Sequence, residues 1–129
     1  MAHAAKPLNI FDYVQMLLAR DSKTIVSREC ANEKSVHLYG IGQYWAAFDK
    51  SAYLLETMVD DEFDAAIIHV KDYPFPLLMY CLHYEKVKSL CRNHIMAANE
   101  MDYLKLLGTP ISPISYSRWY RRHLNDILQ

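Results

Sequence analysis

The chain has 129 residues and a mass of 15.1 kDa, which is the size of one ordinary domain. Its 14 Lys and Arg side chains nearly balance 15 Asp and Glu, and hydrophobic residues make up 52%, a profile that excludes a disordered chain. The sequence lacks both a run of about 18 apolar residues and an apolar block near its start, so neither a transmembrane helix nor a secretory signal is expected. Three cysteines without tight pairing fit a reducing compartment, and a soluble cytoplasmic domain is predicted.

The first third of the chain predicts one helix and two short strands. A helix is expected over residues 9–20, where apolar residues recur at helical spacing. Asn9 is a suitable N-cap, and Asp12 stands three residues later, in the capping-box position. Residues 24–27 are short and β-branched and predict a strand. A second strand is expected over residues 36–39.

The middle of the chain predicts a helix followed by a pair of strands. Residues 40–42, Gly-Ile-Gly, interrupt the preceding strand. A helix is expected over residues 43–59, since apolar side chains fall on one face of it. Residues 65–70 and 77–82 predict two strands that pair antiparallel across a loop containing two prolines, which cannot continue a strand.

The C-terminal part predicts helices. A helix begins near residue 85, and residues 102–107 extend or repeat it until Gly108 stops it. After a proline-containing loop, the last helix is expected over residues 117–128. The order of elements predicts a single α/β (α+β) domain over residues 1–129, with a small mixed sheet flanked by helices.

The motifs of common enzyme families are missing, so no enzymatic activity and no cofactor are expected. The sequence contains no nucleophile elbow, phosphate-binding loop or zinc-protease motif, and the glycines of residues 40–42 lack the third glycine of a dinucleotide site. Four residues have the donor types for zinc, but their spacing is unusual, and the two cysteines among them fit small core residues better: Cys81, His83, Cys91 and His94. The acidic residues within 60–64 predict a solvated turn rather than a metal site.

Aromatic and basic side chains give the clearest indication of a binding surface. Tyr44 and Trp45 lie at the predicted strand-to-helix junction, where a ring can stack on a nucleic-acid base; Trp45 is instead expected to cap the core. The first 64 residues hold six basic and ten acidic side chains, whereas the rest hold eight basic and five acidic ones. Six cations of this second part could contact phosphates, although they also fit ordinary solvated helix faces: Lys86, Lys88, Arg92, Arg118, Arg121 and Arg122.

Residues 36–92 resemble the N-terminal mismatch-recognition domain of the DNA mismatch-repair protein MutS. In that family a hydrophobic strand leads to a Gly-x-Phe-Tyr-Glu-x-Phe motif that opens a helix, and residues 42–48 here read Gly-Gln-Tyr-Trp-Ala-Ala-Phe. A second strand, a proline-flanked third strand and a helix follow in the same order. The resemblance implies a fold like MutS domain I.

The resemblance also implies a role for Tyr44. The family's motif Phe wedges into the duplex and stacks on a mispaired base, and Tyr44 is the matching residue. The family's motif Glu is replaced by Ala46, and its Gly-x-Pro by Cys81 and His83. Stand-alone domains of this kind occur beside the reverse transcriptases of diversity-generating retroelements, which implies a reverse transcriptase as a protein partner.

Two functions are therefore expected from the sequence. The first is a non-enzymatic accessory domain that binds DNA or RNA, with Tyr44 stacking on a base and the six cations holding the backbone. The alternative is a protein–protein interaction module without nucleic-acid contact. The aromatic and arginine-rich composition of the chain fits a protein interface, and the near-neutral net charge favours this alternative.

Overall fold

The computed structural model describes residues 9–59 and 64–128, and these residues form four helices and six strands. The helices are α1 (Ile10–Cys30), α2 (Asp49–Met58), α3 (Tyr84–Asn93) and α4 (Pro113–Leu128). The strands are β1 (Ser35–Ile41), β2 (Tyr44–Phe48), β3 (Ala66–Ile68), β4 (Leu77–His83), β5 (Met96–Glu100) and β6 (Tyr103–Leu107). None of the helices in these ranges combines the length and apolarity that crossing a bilayer requires.

The six strands form one sheet in the order β3-β4-β2-β1-β6-β5. The α+β class predicted from the sequence is confirmed, and each strand pairing in the sheet is antiparallel where a mixed sheet was expected. The predicted antiparallel pairing across the proline loop is also confirmed, because Ile68 of β3 lies opposite Leu77 of β4. The register between β5 and β6 shifts at a bulge between Met96 and Ala98.

Both faces of the sheet are covered by helices. Side chains alternate along a strand, so Val36 and Leu38 of β1 project to one face and Tyr39 and Ile41 to the other. Of the four helices described, α1 packs on the second face, called here the α1 face, with Leu17 among its buried residues. Helices α2, α3 and α4 contribute to the core of the opposite, three-helix face. The strands near the centre therefore bury both of their faces.

Three predicted elements are wrong. Residues 24–27 belong to α1, which continues to Cys30 because Ile25 extends the buried stripe of the helix. Residues 43–48 form a turn and strand β2 rather than the start of a helix, and the helix begins only at Asp49. Residues 103–107 form strand β6, which pairs along β1, so tertiary pairing overrides their helical composition.

Other predicted features are confirmed. The side chain of Asn9 accepts a hydrogen bond from the N–H of Asp12, and the carboxylate of Asp12 accepts one from the N–H of Asn9, so the capping box is complete. Strand 36–39 lies within β1, and the helix expected from residue 85 is α3. The predicted helix 117–128 is contained in α4, which begins four residues earlier, at Pro113. Most of the acidic segment 60–64 falls outside the described residues.

The chain leaves the sheet sharply at the end of β2. Asp49 adopts a positive φ of 46°, and α2 starts there on the three-helix face. Its Oδ1 accepts a hydrogen bond of 2.8 Å from the N–H of Leu78, which extends the β2–β4 ladder by one further contact. Burial raises the pKa of the Asp49 carboxyl to about 6.

A buried polar network replaces the strand partner that β1 loses at this point. The hydroxyl of Ser51 accepts a 2.9 Å hydrogen bond from the N–H of His37 and donates one of 2.6 Å to Oε2 of Glu29. The other carboxyl oxygen of Glu29 accepts a 2.8 Å hydrogen bond from the N–H of Ser51. Asn32 completes the network by donating to the carbonyl oxygen of Ser35 at 2.6 Å. Helix α1, strand β1 and helix α2 are thus joined through groups shielded from water.

The first prediction concerns the pH dependence of stability. Burial raises the pKa of Glu29 from 4.5 to about 8, so between these values the folded protein binds a proton that the unfolded chain has lost. The stability that Glu29 contributes is fully present below pH 4.5 and is lost as pH rises through about 8. The temperature at the midpoint of thermal unfolding, followed by circular dichroism, should therefore decrease as the pH is raised from about 5 to about 8.

The variant Glu29→Gln should flatten this dependence, because an amide occupies the same space without titrating. Glu33→Gln changes an exposed carboxyl in the neighbouring turn and should leave the pH profile of the wild type unchanged. A Glu29→Gln profile as steep as that of the wild type would show that other groups cause the slope.

Candidate nucleic-acid interface

Tyr44 lies at a hairpin turn rather than at a strand-to-helix junction. Gly42 and Gln43 form the two-residue turn that joins β1 to β2, and Ile41 lies opposite Tyr44. Gly42 has a φ of +67° while Gln43 is not in the left-handed region, the pattern of a type II′ turn. The turn places Tyr44 at the start of β2, at one end of the sheet, where its side chain is 39% exposed.

Three rings lie next to one another at this end of the sheet. Tyr44 is paired with His83, the last residue of β4, and their rings meet edge to face with centroids 5.5 Å apart. Tyr84 follows as the first residue of α3, and the centroid of its ring lies 4.5 Å from the centroid of the His83 ring. His83 caps α3, since its Nδ1 accepts a 3.3 Å hydrogen bond from the N–H of Glu85. Both tyrosine rings remain more than one-third exposed.

The three predicted cations of residues 86–92 are exposed side chains of α3, the helix that begins with Tyr84. Lys88 and Arg92 are four residues apart and therefore share one helix face, whereas Lys86 points to another. The Lys88 ammonium lies 5.2 Å from the centroid of the Tyr84 ring, in the range of a cation–π contact. Within residues 9–59 and 64–128, Lys88 and Arg92 make no salt bridge. We call this set of exposed residues, Tyr44, Tyr84, Lys86, Lys88 and Arg92, the α3 surface; within it Tyr44 lies on the same side of β2 as Ala46, the α1 face.

The three predicted arginines of the last helix lie elsewhere. Helix α4 packs on α2 and β3, whereas α3 packs on β2 and β4. Arg118 and Arg122 border a cavity of about 320 Å³ beside Trp119, whose Nε1 donates a 2.7 Å hydrogen bond to Glu56. Arg121 borders a separate cavity that Phe75 also lines. The six cations are therefore divided between two surfaces.

The two cysteines with zinc-ligand spacing lie on opposite faces of the sheet. Cys81 packs in the core of the α1 face, where burial raises the pKa of its thiol to about 11. Cys91 packs against the core of the three-helix face. Across the part of the chain that the structure describes, no three His, Cys, Asp or Glu side chains lie together as a metal site requires.

A groove that the sequence did not reveal adjoins the α3 surface. It lies between α3 and the β5–β6 hairpin, has a volume of about 740 Å³, and is lined by Trp45 and Leu104 as well as by Tyr84, Lys88 and Arg92. Trp45 is half-buried and packs against the core of the three-helix face, as expected from the sequence. The groove could not be anticipated because one of its walls is a hairpin that the sequence predicted as helix.

A second aromatic cluster lies on the α1 face and was also missed. His37 Nδ1 is 2.7 Å from the hydroxyl of Tyr103, and the Arg28 guanidinium lies 4.0 Å from the centroid of the Tyr103 ring. Burial, with smaller effects from Arg28 and Lys105, lowers the pKa of His37 to about 4, so its imidazole is neutral at pH 7. The Tyr103 hydroxyl therefore has a neutral imidazole as its neighbour, and the cluster ties α1 to β1 and β6.

Comparison with known protein families, curated proteins and solved structures finds no match to this chain. The resemblance to the MutS mismatch-recognition domain stays a prediction from residues 36–92. In the structure its motif occupies the β1–β2 turn and strand β2, with Tyr44 exposed and Ala46 buried in the α1 face.

The second prediction concerns the turn that positions Tyr44. A Cβ at Gly42 would lie 3.0 Å from Cε2 of Tyr13 in α1, and the positive φ strains any L side chain there. Gly42→Ala should lower the free energy of unfolding by about 1–3 kcal/mol in urea denaturation. Gln43→Ala, at the other turn position, should change it by no more than about 0.5 kcal/mol. Equal stability of Gly42→Ala and the wild type would contradict the turn geometry.

Proposed function

We propose that this chain is a non-enzymatic accessory domain that binds nucleic acid through the α3 surface. The observation that carries the proposal is a pair of partly exposed tyrosines on either side of His83, with Lys88 beside the Tyr84 ring and, within the described residues, no salt bridge from Lys88 or Arg92. Exposed rings stack on bases of any sequence, and each such contact is worth about 1–3 kcal/mol. Cations beside the rings supply the contacts to phosphate that a stacked strand requires.

Different residues of the α3 surface are suited to different contacts with a nucleic acid. Lys88 and Arg92 share one helix face and are suited to two successive phosphates, while Lys86 adds to the local positive potential. Tyr44, at the turn, and Tyr84, at the helix start, offer rings on either side of His83. The arginines of α4 lie on another surface, so we assign them no direct part in this contact. A small number of phosphate contacts is consistent with the net charge of -1.

A protein-interaction module is the second candidate, and one observation favours it. The residues that flank β5 are exposed and apolar, with Ile95 69% and Met101 91% accessible to solvent. Flexible methionines are common at surfaces that bind protein partners. A reverse transcriptase or another protein would then dock at the β5–β6 hairpin, with or without nucleic acid on the α3 surface.

The third prediction tests nucleic-acid binding by fluorescence anisotropy. Labelled single-stranded, duplex and mismatched DNA and single-stranded RNA are titrated at about 50 and about 200 mM salt. Binding should weaken as salt rises, and Tyr44→Ala should weaken it by about tenfold, because a stacking contact is lost. Tyr44→Phe keeps the ring and is the matched control, with affinity near that of the wild type.

The cations provide an independent comparison. The double variant Lys88→Ala/Arg92→Ala should reduce the salt slope by about two, whereas Arg118→Ala/Arg122→Ala, which removes the same charge from α4, should leave it unchanged. Absence of binding to all four nucleic acids at the lower salt concentration would overturn the proposal in favour of the protein-interaction module.

A further inference from the structure

The floor of the groove between α3 and the β5–β6 hairpin is formed by residues of the sheet, with Trp45 and Leu104 as its apolar part. Trp45 of β2 lies opposite Gly40 of β1, and Asp102 borders the space that a side chain at Gly40 would take, with its Oδ1 3.3 Å from that Cβ position. Leu104 of β6 continues the floor, and Tyr84 of α3 stands at its edge. The volume of about 740 Å³ lies within the usual range for small-molecule sites. Such a floor offers aromatic contact to a flat, ring-shaped ligand.

One polar side chain stands where it can bind the edge of such a ring. Asn99 of β5 is paired with Leu104, so it projects to the same face of the sheet and lines the groove. Its amide makes no hydrogen bond to any group within the described residues, which leaves its oxygen and its two N–H donors available. An asparagine amide pairs with the N6 and N7 atoms of adenine through two hydrogen bonds.

Two cations line one wall of the groove. Lys88 and Arg92 line its α3 wall, and both lack a salt-bridge partner in the described part of the chain. Glu100 also borders the groove, but it is paired with Tyr103 and its carboxylate therefore projects to the α1 face, near Arg28. An anionic ligand thus meets two cations along the α3 wall, while the carboxylate of Asp102 lies beside Gly40, on the same face of the sheet as Trp45.

We infer that this groove binds one unpaired nucleobase of a single-stranded nucleic acid, with adenine preferred. The base lies against Trp45 and Tyr84, the amide of Asn99 binds its edge, and Lys88 and Arg92 contact the flanking phosphates. This inference rests on the proposed function and deepens it, because it makes a single strand the substrate class and gives the site a base preference. A duplex, whose bases are stacked and paired, could not enter the groove.

The test uses mononucleotides and nuclear magnetic resonance on the full chain. Adenosine monophosphate should shift the indole N–H signal of Trp45 and leave that of Trp119 unmoved, because Trp119 is 4% exposed and bonded to Glu56. Uridine monophosphate should bind about fivefold more weakly, since it lacks the N6 and N7 pair. Ribose 5-phosphate, which has no base, should leave the Trp45 signal in place.

Asn99 is exposed, so its variants should fold. Asn99→Ala should bring the ratio of adenosine to uridine monophosphate affinity close to one, and Asn99→Asp should weaken both, since a carboxylate repels phosphate. Asn125→Ala, an exposed asparagine of α4, is the matched control and should keep the wild-type ratio.

Titrations with oligonucleotides distinguish failure of the base pocket from failure of the proposed function. Oligoadenylate binding more tightly than oligothymidylate, with the preference lost in Asn99→Ala, supports both. Binding of the two oligonucleotides with equal affinity, with the Trp45 signal unmoved, overturns the base pocket and leaves the proposed function standing. No binding of any oligonucleotide or mononucleotide at low salt overturns both.

Discussion

The hydrogen bond between the N–H of His37 and the hydroxyl of Ser51 is the contact on which the two-sided arrangement of this fold depends. Strand β2 leaves the sheet after Phe48, so the first residues of β1, which run antiparallel to it, have no strand on that side. A buried N–H without an acceptor costs about 1–3 kcal/mol, and Ser51 removes that cost while Glu29 holds the serine in place. Because Glu29 comes from α1 and Ser51 from α2, one network connects the helices of both faces.

This early exit of β2 also determines where a binding surface can form. The network closes one end of the sheet with buried groups, whereas the hairpin turn, the end of β4 and the start of α3 meet at the other end. Tyr44 and Tyr84 are carried there by rigid elements on either side of His83. The candidate interface is thus held by the sheet itself and by the first turn of a helix, which fixes the spacing between its rings and its cations.

Local signals predicted the parts of the fold that depend on neighbours in sequence. The capping box of Asn9 and the proline loop before β4 are of this kind, because their chemistry acts over a few residues. Strand β2 was mistaken for helix since both of its faces are buried and residues 45–48 show no alternation of polar and apolar side chains. Residues 103–107 form a strand by pairing with β5 and with β1, and β1 is a partner far away in sequence.

The same distinction applies to the candidate site. Tyr44 and the α3 cations were identified from residue type and spacing; in the structure Tyr44 lies beside His83, and Lys88 lies beside the Tyr84 ring. Their separation from the α4 arginines depends on how α4 packs against α2 and β3, which no local pattern encodes. The groove beside Trp45 combines residues of β2, α3 and the β5–β6 hairpin, so it exists only in the folded arrangement.

The strand order has a consequence for how this chain reaches its native state. Strand β1 lies between β2, its neighbour in sequence, and β6, where Ser35 is paired with Leu107 near the end of the sheet-forming chain. The hairpin with β2 closes a short loop and can form early. Pairing with β6 requires nearly the whole chain and costs a larger loss of chain entropy. During synthesis the long edge of β1 therefore stays open until residue 107 has left the ribosome, and in that interval it is a template for pairing with other nascent chains.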